Sequence, residues 1–425
     1  MRPIGRWRKV GLAIAVIVVA AVAVAGMLRE RSEPLSEPSA GPSRGADYPQ
    51  TSARFARTSA GDGRLPRITA RGHDLLAGKR RFEVWGFNYG IGDRYLILDY
   101  FSRPTKRRQA RVFEDMREAR ALGANTLRIY LEIGTFMRNP REPRLRALRA
   151  YRDVVAEARR LGIYLDVTGD LVWRKAPWWY DALGEQRRWK VQARFWRAVA
   201  DVSSRSRAVL MYELTSEPNV TDSDSWYDGE LGGLTFVQNI VRRLDGRDPQ
   251  RLARAWTRKM RNAVRSRDRR HLISIGFMPF CGGPFAHEGL LDLLDLLVVH
   301  SHPQEETQEE SIESIRDFSD HGTPVVLGET SPMFTKSWPE FLTELPDYVD
   351  GYLYYYDGRR PSEIDATSTP GLFLRASLKQ FLALRESLVG SPSQRGAAES
   401  STEAAPSPSP LAPQEAQRRP DCPPA

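Results

Sequence analysis

Cysteine is nearly absent from this chain of 425 residues, which contains only Cys281 and Cys422. The first falls within the segment expected to fold and the second within a Pro- and Ser-rich tail, so we expect no structural disulfide between them. No cysteine follows the apolar N-terminal segment, so nothing points to a bacterial lipid anchor. The 41% of hydrophobic and 10% of aromatic residues can instead build a large core.

The sequence also lacks the basic stripe that nucleic-acid-binding proteins use. Its net charge is +10, but the arginines are spread along every expected helix. A nucleic-acid binder would concentrate them on one face with aromatic residues between them. We therefore expect no nucleic-acid partner and interpret the charge as a solvated basic surface suited to an anionic cell envelope.

The N-terminal segment runs without a charge from Val10 to Leu28. It is long enough to cross a bilayer of about 30 Å, and the basic residues before it favour a cytoplasmic N-terminus. We therefore expect residues 1–29 to be a transmembrane signal anchor in the cell membrane, with the rest of the chain outside. Ala23-Val24-Ala25 also fits a signal-peptidase site, so cleavage after Ala25 and secretion form the alternative.

Two further segments lack any helical or strand periodicity and are rich in Ser, Pro and Ala, residues 30–63 and 390–425. Such segments cannot bury enough apolar surface to offset the entropy of ordering them. We expect a flexible linker at 30–63 and a disordered tail at 390–425. Residues 64–389 then form one catalytic domain, which we expect to be monomeric.

Within this domain the sequence repeats a short apolar run, a polar loop and an amphipathic helix. Such alternation predicts parallel strands covered by helices. Eight such units, after a hairpin expected from 67–70 and 81–84 at the barrel floor, predict an α/β fold, a (β/α)8 TIM barrel preceded by the N-terminal transmembrane helix. The expected strands are 84–88, 126–130, 163–168, 209–214, 272–277, 296–300, 324–328 and 351–355.

Helices are expected between these strands from apolar residues that recur on one helical face. Gly123 and Gly162 each follow such a pattern and are expected to end a helix, because glycine is common just after a helix C-terminus. The expected helices are 107–122, 145–161, one that carries Trp189, Trp196 and Val199, 251–264, 311–318 and 374–388.

Two expected strands are followed within three residues by a glutamate. The fourth is followed by Ser216-Glu217-Pro218 and the seventh by Gly328-Glu329. Barrel active sites lie at the carboxyl ends of the strands, and strands four and seven lie on opposite sides of the cleft. Glycosidic cleavage needs such a pair, an acid that protonates the leaving oxygen and an ionised carboxylate that meets the oxocarbenium ion. A structural ion pair with an arginine is the alternative for each glutamate alone.

The chain from about Leu65 to Leu388 resembles glycoside hydrolases of clan A, nearest the cellulase and mannanase family numbered five. In that family a Glu-Pro after strand four supplies the acid/base and a Gly-Glu after strand seven supplies the nucleophile. The resemblance therefore implies that Glu217 is the acid/base and Glu329 the nucleophile. It also implies that Arg128, in the context Asn-x-x-Arg, keeps the nucleophile ionised. A barrel-filling ion pair is the alternative role of Arg128.

The chain departs from the family pattern at several positions around this pair. Ser216 stands where an asparagine usually bonds the sugar 2-hydroxyl, and Thr168 where a histidine is often found. His302 replaces the tyrosine beside the nucleophile, and Tyr355 replaces a tryptophan platform. We expect Ser216, His302 and Tyr355 to bind substrate, together with Asn88 at the end of strand one. These departures indicate an unusual substrate, with an inactive carbohydrate-binding barrel as the alternative.

The sequence His300-Ser301-His302 permits a second hypothesis, because residues i and i+2 on a strand point the same way and could bind one metal ion. Metal-dependent barrel hydrolases carry such a pair on the first strand and add histidines from later strands, which this sequence does not match. We therefore expect no metal and no cofactor. We expect both imidazoles to be neutral and to bond to the glutamates or to sugar hydroxyls.

Aromatic residues are dense in the loop after strand three, residues 170–180, which includes Trp173. Flat rings stack on the apolar faces of pyranose rings, so we expect Trp173, and Trp226 in the next long loop, to bind substrate. Packing of the loop onto the barrel rim is the alternative. The sequence thus predicts a retaining glycoside hydrolase that cleaves β-glycosidic bonds of an extracytoplasmic oligo- or polysaccharide.

Overall fold

The structure is a computed structural model. It describes residues 65–89, 96–171, 177–218, 240–241, 245–279, 285–303, 308–332, 335, 337–365 and 367–389. The expected signal anchor, the linker, the tail and both cysteines lie outside these ranges. Within the described ranges, no helix has the length and apolar character needed to cross a membrane.

The described strands include eight that form a closed parallel barrel, as the sequence predicts. Around the barrel each strand pairs with its neighbour in the chain, and the last pairs with the first through Gly351 and Val84. The strands are β4 Val84–Tyr89, β5 Thr126–Glu132, β6 Tyr164–Leu171, β7 Val209–Ser216, β8 Leu272–Phe277, β9 Leu297–His300, β10 Val325–Glu329 and β11 Gly351–Tyr356.

Helices cover the outside of the barrel. Their apolar faces pack on strands that are themselves buried on both sides, which is why these strands appear in the sequence as short continuous apolar runs. The helices are α1 Leu96–Ser102, α2 Lys106–Ala121, α3 Ile133–Phe136, α4 Leu145–Leu161, α5 Trp178–Asp181, α6 Glu185–Ser203, α7 Pro249–Arg265, α8 Gln308–Ser319, α9 Trp338–Thr343 and α10 Thr369–Leu388.

The predicted ends of the long helices agree with the structure because they carry local chemical signals. Gly123 follows the last turn of α2 with φ 95°, and Gly162 follows α4 with φ 69°, a conformation that favours glycine. Thr105 begins α2 by accepting a bond from the backbone N–H of Arg108 at 3.2 Å. The shorter helices α1, α3, α5 and α9 were not predicted.

The hairpin at the barrel floor has one more strand than was predicted, although the first expected strand, 67–70, overlaps the first observed one. The structure has three antiparallel strands, β1 Ile68–Arg71, β2 Asp74–Ala77 and β3 Arg80–Arg81. Gly72 and Gly78, both at positive φ, make the two turns, so the residues between them form a middle strand. The location is as expected, because the Tyr164 hydroxyl, at the start of β6, donates to the Pro66 carbonyl at 2.7 Å.

An aromatic cluster between the barrel and α10 sets the orientation of the last strand. Trp85 of β4 stacks on Phe381 of α10 with ring centroids 4.1 Å apart. Tyr354 of β11 packs on the same ring at 5.2 Å, and its hydroxyl donates to the Ser377 Oγ at 2.6 Å. Because side chains alternate along a strand, Tyr355 points to the opposite side, into the barrel.

Candidate active site

The two glutamates lie where barrel active sites lie, at the carboxyl ends of the strands. Glu217 directly follows β7, and Glu329 is the last residue of β10. Three atoms lie within 4.8 Å of one another: one carboxylate oxygen of Glu217, one of Glu329 and one ring nitrogen of His300. The fold therefore brings together two carboxylates that are 112 positions apart in the sequence.

Arg128 lies beneath this pair and is fully buried. Its guanidinium forms ion pairs with Glu329 and with Glu213. The remaining N–H groups of Arg128 donate hydrogen bonds to neutral oxygens of the surrounding strands. These bonds run to the Thr168 hydroxyl at 2.9 Å, the Tyr130 hydroxyl at 2.8 Å, the Asn88 side-chain oxygen at 3.1 Å and the Ser216 hydroxyl at 3.1 Å.

This network places three of the predicted residues around the arginine. Thr168, Ser216 and Asn88 all accept hydrogen bonds from Arg128, and Asn88 also donates to the Gly328 carbonyl at 2.8 Å. Ser216 was expected to face a sugar 2-hydroxyl, but it is only 4% exposed. Ser216 and Thr168, which differ from the family pattern, thus accept hydrogen bonds from the buried Arg128.

Glu329 is held as an ionised carboxylate. Burial alone would raise its pKa, but nearby His300 and Arg128, followed by His302 and a bond from Tyr355, lower the pKa of Glu329 to about 2. The Tyr355 hydroxyl donates to Oε2 at 2.7 Å. Burial and the charge of Glu329 raise the pKa of Tyr355, so this hydroxyl keeps its proton and acts as the donor.

Glu217 has different surroundings. Its backbone adopts φ 49°, which is unusual outside glycine and costs of order 1–3 kcal/mol. Its N–H donates to the Gly276 carbonyl at 2.8 Å, which fixes this turn at the end of β7. Its side chain is 18% exposed, against 10% for Glu329, and lies 2.7 Å from the His300 Nδ1. The more exposed carboxylate is the one suited to exchange protons with a leaving group and water.

The position of His300 depends on a glycine of the neighbouring strand. A Cβ at Gly276 of β8 would lie 2.7 Å from two atoms of the His300 ring and 2.9 Å from the Glu213 Oε1. Real Cβ atoms do not make such contacts, so only glycine leaves room here for both side chains. The sequence pattern did not identify Gly276, because the need for it arises only from two side chains on other strands.

His302 and Tyr355 form a second part of the site. Their rings are nearly parallel, with centroids 6.2 Å apart. The His302 Nδ1 lies 2.9 Å from the Ser331 hydroxyl, and burial lowers the pKa of His302, so its imidazole is neutral at pH 7. His300 contacts Glu217 instead, so the two histidines of the His-x-His sequence have different partners.

Two buried acids below Arg128 were missed at the sequence level. Asp166 and Glu213 are both 0% exposed. Burial, followed by the charge of Glu213, raises the pKa of Asp166 well above its ordinary range, and burial also raises the pKa of Glu213. Side chains two positions apart on a strand point the same way. Asp166 therefore shares a face of β6 with Thr168, and Tyr130 shares a face of β5 with Arg128. This alternation is a signal that could have identified Asp166 and Tyr130 as site residues.

The predicted aromatic surface is only partly described. Trp173 and Trp226 lie outside the described residues. In the rest of the loop Trp178 is 83% exposed, whereas Tyr180 is fully buried and its hydroxyl accepts a bond from the Gln192 side chain at 2.7 Å. Tyr180 therefore packs the loop onto the barrel rim, while Trp178 is free to meet a ligand.

No protein-family model and no curated protein matches the chain, but solved structures do. A GH5_18 protein from Streptomyces cattleya, solved in complex with GlcNAc, matches with TM-score 0.54 and 17% identity, over 74% of this chain and 82% of that chain. The β-mannanase of the blue mussel Mytilus edulis matches with TM-score 0.54 and 13% identity, over 76% of this chain and 97% of that chain. This chain has their fold.

An endo-1,4-β-mannanase from Rhizomucor miehei also matches, with TM-score 0.51 and 12% identity, over 75% of this chain and 99% of that chain. The resemblance to family-five glycoside hydrolases is thus confirmed for the fold. The catalytic roles of Glu217 and Glu329 stay predictions, which the geometry of the site supports.

Proposed function

We propose that this protein is a retaining glycoside hydrolase that cleaves β-glycosidic bonds of an oligo- or polysaccharide, with Glu217 as acid/base and Glu329 as nucleophile. The observation that carries the proposal is the approach of the two carboxylates, whose oxygens come within 4.8 Å. Retaining enzymes separate their carboxyl groups by about 5–5.5 Å, whereas inverting enzymes need about 6.5–9.5 Å to admit a water. Oxygens this close together leave little room for that water, which supports the retaining mechanism.

The different surroundings of the two acids support the assignment of roles. Glu329 is ionised, since its pKa is about 2, and it is fixed by Arg128 and Tyr355. Its oxygen attacks the anomeric carbon while Glu217 protonates the glycosidic oxygen, which leaves as an alcohol. Glu217 then takes a proton from water, and the water breaks the sugar ester on Glu329 with a second inversion.

The fold supports a sugar substrate at a coarse level. The matched structures include two mannanases and a GH5_18 protein bound to GlcNAc. The site differs from the family pattern at Ser216 and Thr168, where small residues contact Arg128, and at His302 and Tyr355. We therefore propose a β-linked carbohydrate substrate and place its recognition in the loops around His302 and Trp178.

A substrate screen tests the proposal. The purified protein is assayed on aryl β-glucosides, aryl β-mannosides and β-glucans, with and without chelator, beside a Glu329→Gln control. Turnover that resists chelator and is lost in the control supports the proposal. Binding without turnover identifies an inactive carbohydrate-binding barrel. Turnover that a chelator abolishes, while thermal unfolding shows that the protein stays folded, identifies a metal-dependent hydrolase, in which a cation lies between Glu217, His300 and Glu329.

The location of the domain is a separate proposal. We infer from the charge-free segment Val10 to Leu28 that residues 1–29 tether the catalytic domain outside the cell membrane. Deleting residues 1–29 should release a soluble, folded protein, whereas the full chain should sediment with membranes. A truncated protein that still sediments with membranes, or that has no cooperative thermal transition, contradicts the tether.

A further inference from the structure

A cluster of two histidines and an aspartate, side chains of the kinds that bind metals, lies on the outer surface of the barrel, away from the two glutamates. Between β8 and β9 the described chain has two 3-10 helices, η1 His287–Gly289 and η2 Leu291–Leu293. His287 of η1 packs near Phe277 of β8 and faces Asp317 and His321, at and just beyond the end of α8. The segment that follows β8 and the helix that follows β9 thus meet at three potential ligands.

His287 is held in one orientation. It is 3% exposed, and its ring stacks on Phe318 with centroids 3.7 Å apart. The His287 Nδ1 lies 3.3 Å from the Glu288 Oε2. A carboxylate at Nδ1 places the proton there and leaves the lone pair on Nε2, which is the arrangement that orients histidine ligands in metal sites.

The lone pair of His287 faces another acceptor. The His287 Nε2 lies 3.7 Å from the Asp317 Oδ2, which is longer than a hydrogen bond. Two ligands at about 2.1 Å from a tetrahedral Zn²⁺ are separated by about 3.4 Å, so a cation between these atoms would need little rearrangement. A protonated His287 between two carboxylates also explains this contact, and it is the alternative that the experiment must exclude.

His321 supplies the observation that the protonated alternative leaves unexplained. Its Nε2 is buried and makes no hydrogen bond to any residue within the described ranges. Its ring lies 4.9 Å from that of His287, at an angle of 66°. One donor atom from each of His287, Asp317 and His321 lies within 4.8 Å of the other two. A buried nitrogen without a hydrogen-bond partner among the described residues, on a ring that lies beside a histidine and a carboxylate, is what a ligand position requires.

We propose that His287, Asp317 and His321 bind one divalent transition-metal ion, such as Zn²⁺, with water as the fourth ligand. Two imidazoles and one carboxylate suit zinc and its neighbours in the first transition series, rather than calcium or magnesium. Because Asp317 is 36% exposed, the ion has access from solvent. The bound ion joins the segment after β8 to the end of α8 and stabilises the fold without taking part in turnover.

Metal titration of the full-length protein, with any affinity tag removed and metal stripped by chelator, tests this site. Addition of Zn²⁺ should raise Tm and saturate at one equivalent, and Co²⁺ should give the visible absorption of a tetrahedral complex. His321→Ala should weaken Zn²⁺ binding at least about tenfold, given that losing even an outer-shell partner costs about 10–100-fold. If His321→Ala does not fold, Asp317→Asn serves in its place. This change keeps the size of the side chain, lies near the surface and should also weaken Zn²⁺ binding.

Two controls distinguish this site from other places on the chain. His73→Ala removes a histidine in the turn between β1 and β2 and should leave Zn²⁺ affinity unchanged. Glu329→Gln alters the second group of potential ligands and should also bind Zn²⁺ normally. Absence of zinc binding, binding that His321→Ala and Asp317→Asn leave intact, or binding that Glu329→Gln abolishes would each overturn the proposal.

Discussion

A hydroxyl on the last barrel strand contacts the predicted nucleophile directly. The resemblance placed His302 beside the nucleophile, in place of the family's tyrosine. In the structure Tyr355 donates to the Glu329 Oε2 at 2.7 Å, and the His302 Nδ1 contacts Ser331. A tyrosine hydroxyl of the last barrel strand therefore stabilises the ionised carboxylate of Glu329.

Removing this hydroxyl should slow the reaction and shift its pH profile. A hydrogen bond to a charged acceptor contributes about 1.5–3 kcal/mol, so Tyr355→Phe should lower kcat/KM on an aryl β-glycoside about 10–100-fold. The bond favours the ionised form of Glu329, so its loss should raise the pKa of Glu329 from about 2 and move the acidic limb of the profile to higher pH.

The neighbouring tyrosine provides the matched control. Tyr354 has the same side chain on the same strand, but its hydroxyl donates to Ser377 outside the barrel. Tyr354→Phe should therefore leave kcat/KM and the pH profile unchanged, whatever its effect on Tm. Equal losses of activity in the two variants would show that Tyr355 acts only through packing.

At this scale the sequence predicted which residues meet but not how they bond. Glu217 and Glu329 could be placed because each follows an expected strand, and strand ends meet at one side of a barrel. Arg128 lies within the second expected strand and was placed through the family resemblance. The bonds of Ser216 and Thr168 to Arg128 could not be predicted, because they depend on the conformation of one long side chain. The positive φ of Glu217 likewise depends on Gly276, which belongs to the next strand.

At the scale of elements, β8 acts as a spacer within the site. It contributes no acid or base from its centre, but its glycine allows His300 of β9 and Glu213 of β7 to approach each other. The hydrophobic run 272–277 was predicted as a strand from its composition. The requirement for glycine within it comes from two neighbouring strands, which a single apolar run cannot reveal.

Gly276→Ala tests this role. The added methyl should displace His300 from Glu217, because two atoms of the His300 ring lie 2.7 Å from the Cβ position. We expect overpacking to lower the free energy of unfolding by about 1–3 kcal/mol and activity to fall at least tenfold in protein that remains folded. Both are measured, by thermal unfolding and by initial rates.

Gly184→Ala is the control for this change, since nothing lies within 4 Å of its Cβ position. It should retain the wild-type rate. A folded Gly276→Ala variant with the wild-type rate would show that the position of His300 does not matter to the reaction.

At the scale of the whole molecule, the barrel interior contains more buried acids than buried cations among the residues that the structure describes. Arg128 is fully buried among Asp166, Glu213 and Glu329, and only Glu329 has a lowered pKa. Because burial raises the pKa of both Asp166 and Glu213, we expect this pair to keep a proton to higher pH in the folded chain than in the unfolded chain. The long helices and the barrel strands were predictable from periodicity, but this charge balance required the closed barrel.

The retained proton makes stability depend on pH. Above the ordinary Asp pKa of about 3.9, the unfolded chain releases a proton that the folded chain keeps. The free energy of unfolding should therefore fall by about 1.4 kcal/mol per pH unit until the raised pKa is reached. Asp166→Asn removes this loss of stability. The Tm of the variant minus the Tm of the wild type should therefore be larger at pH 8 than at pH 5.

The exposed acid Asp201, whose side chain is 68% exposed, gives the matched control. Asp201→Asn should change Tm by the same small amount at both pH values. If Asp166→Asn shows no more pH dependence than Asp201→Asn, the buried pair does not hold a proton.

The central claim is that two glutamates divide the work of a retaining glycosidase, and the configuration of azide products tests it most directly. Glu329→Ala and Glu217→Ala are each supplied with an activated aryl β-glycoside and azide, and the products are assigned by NMR. Glu329→Ala should give a glycosyl azide of inverted configuration, because azide enters the vacated side. Glu217→Ala should give one of retained configuration, through the ester on Glu329. The same configuration from both variants, or an inverted hydrolysis product from the wild type, would contradict the assignment.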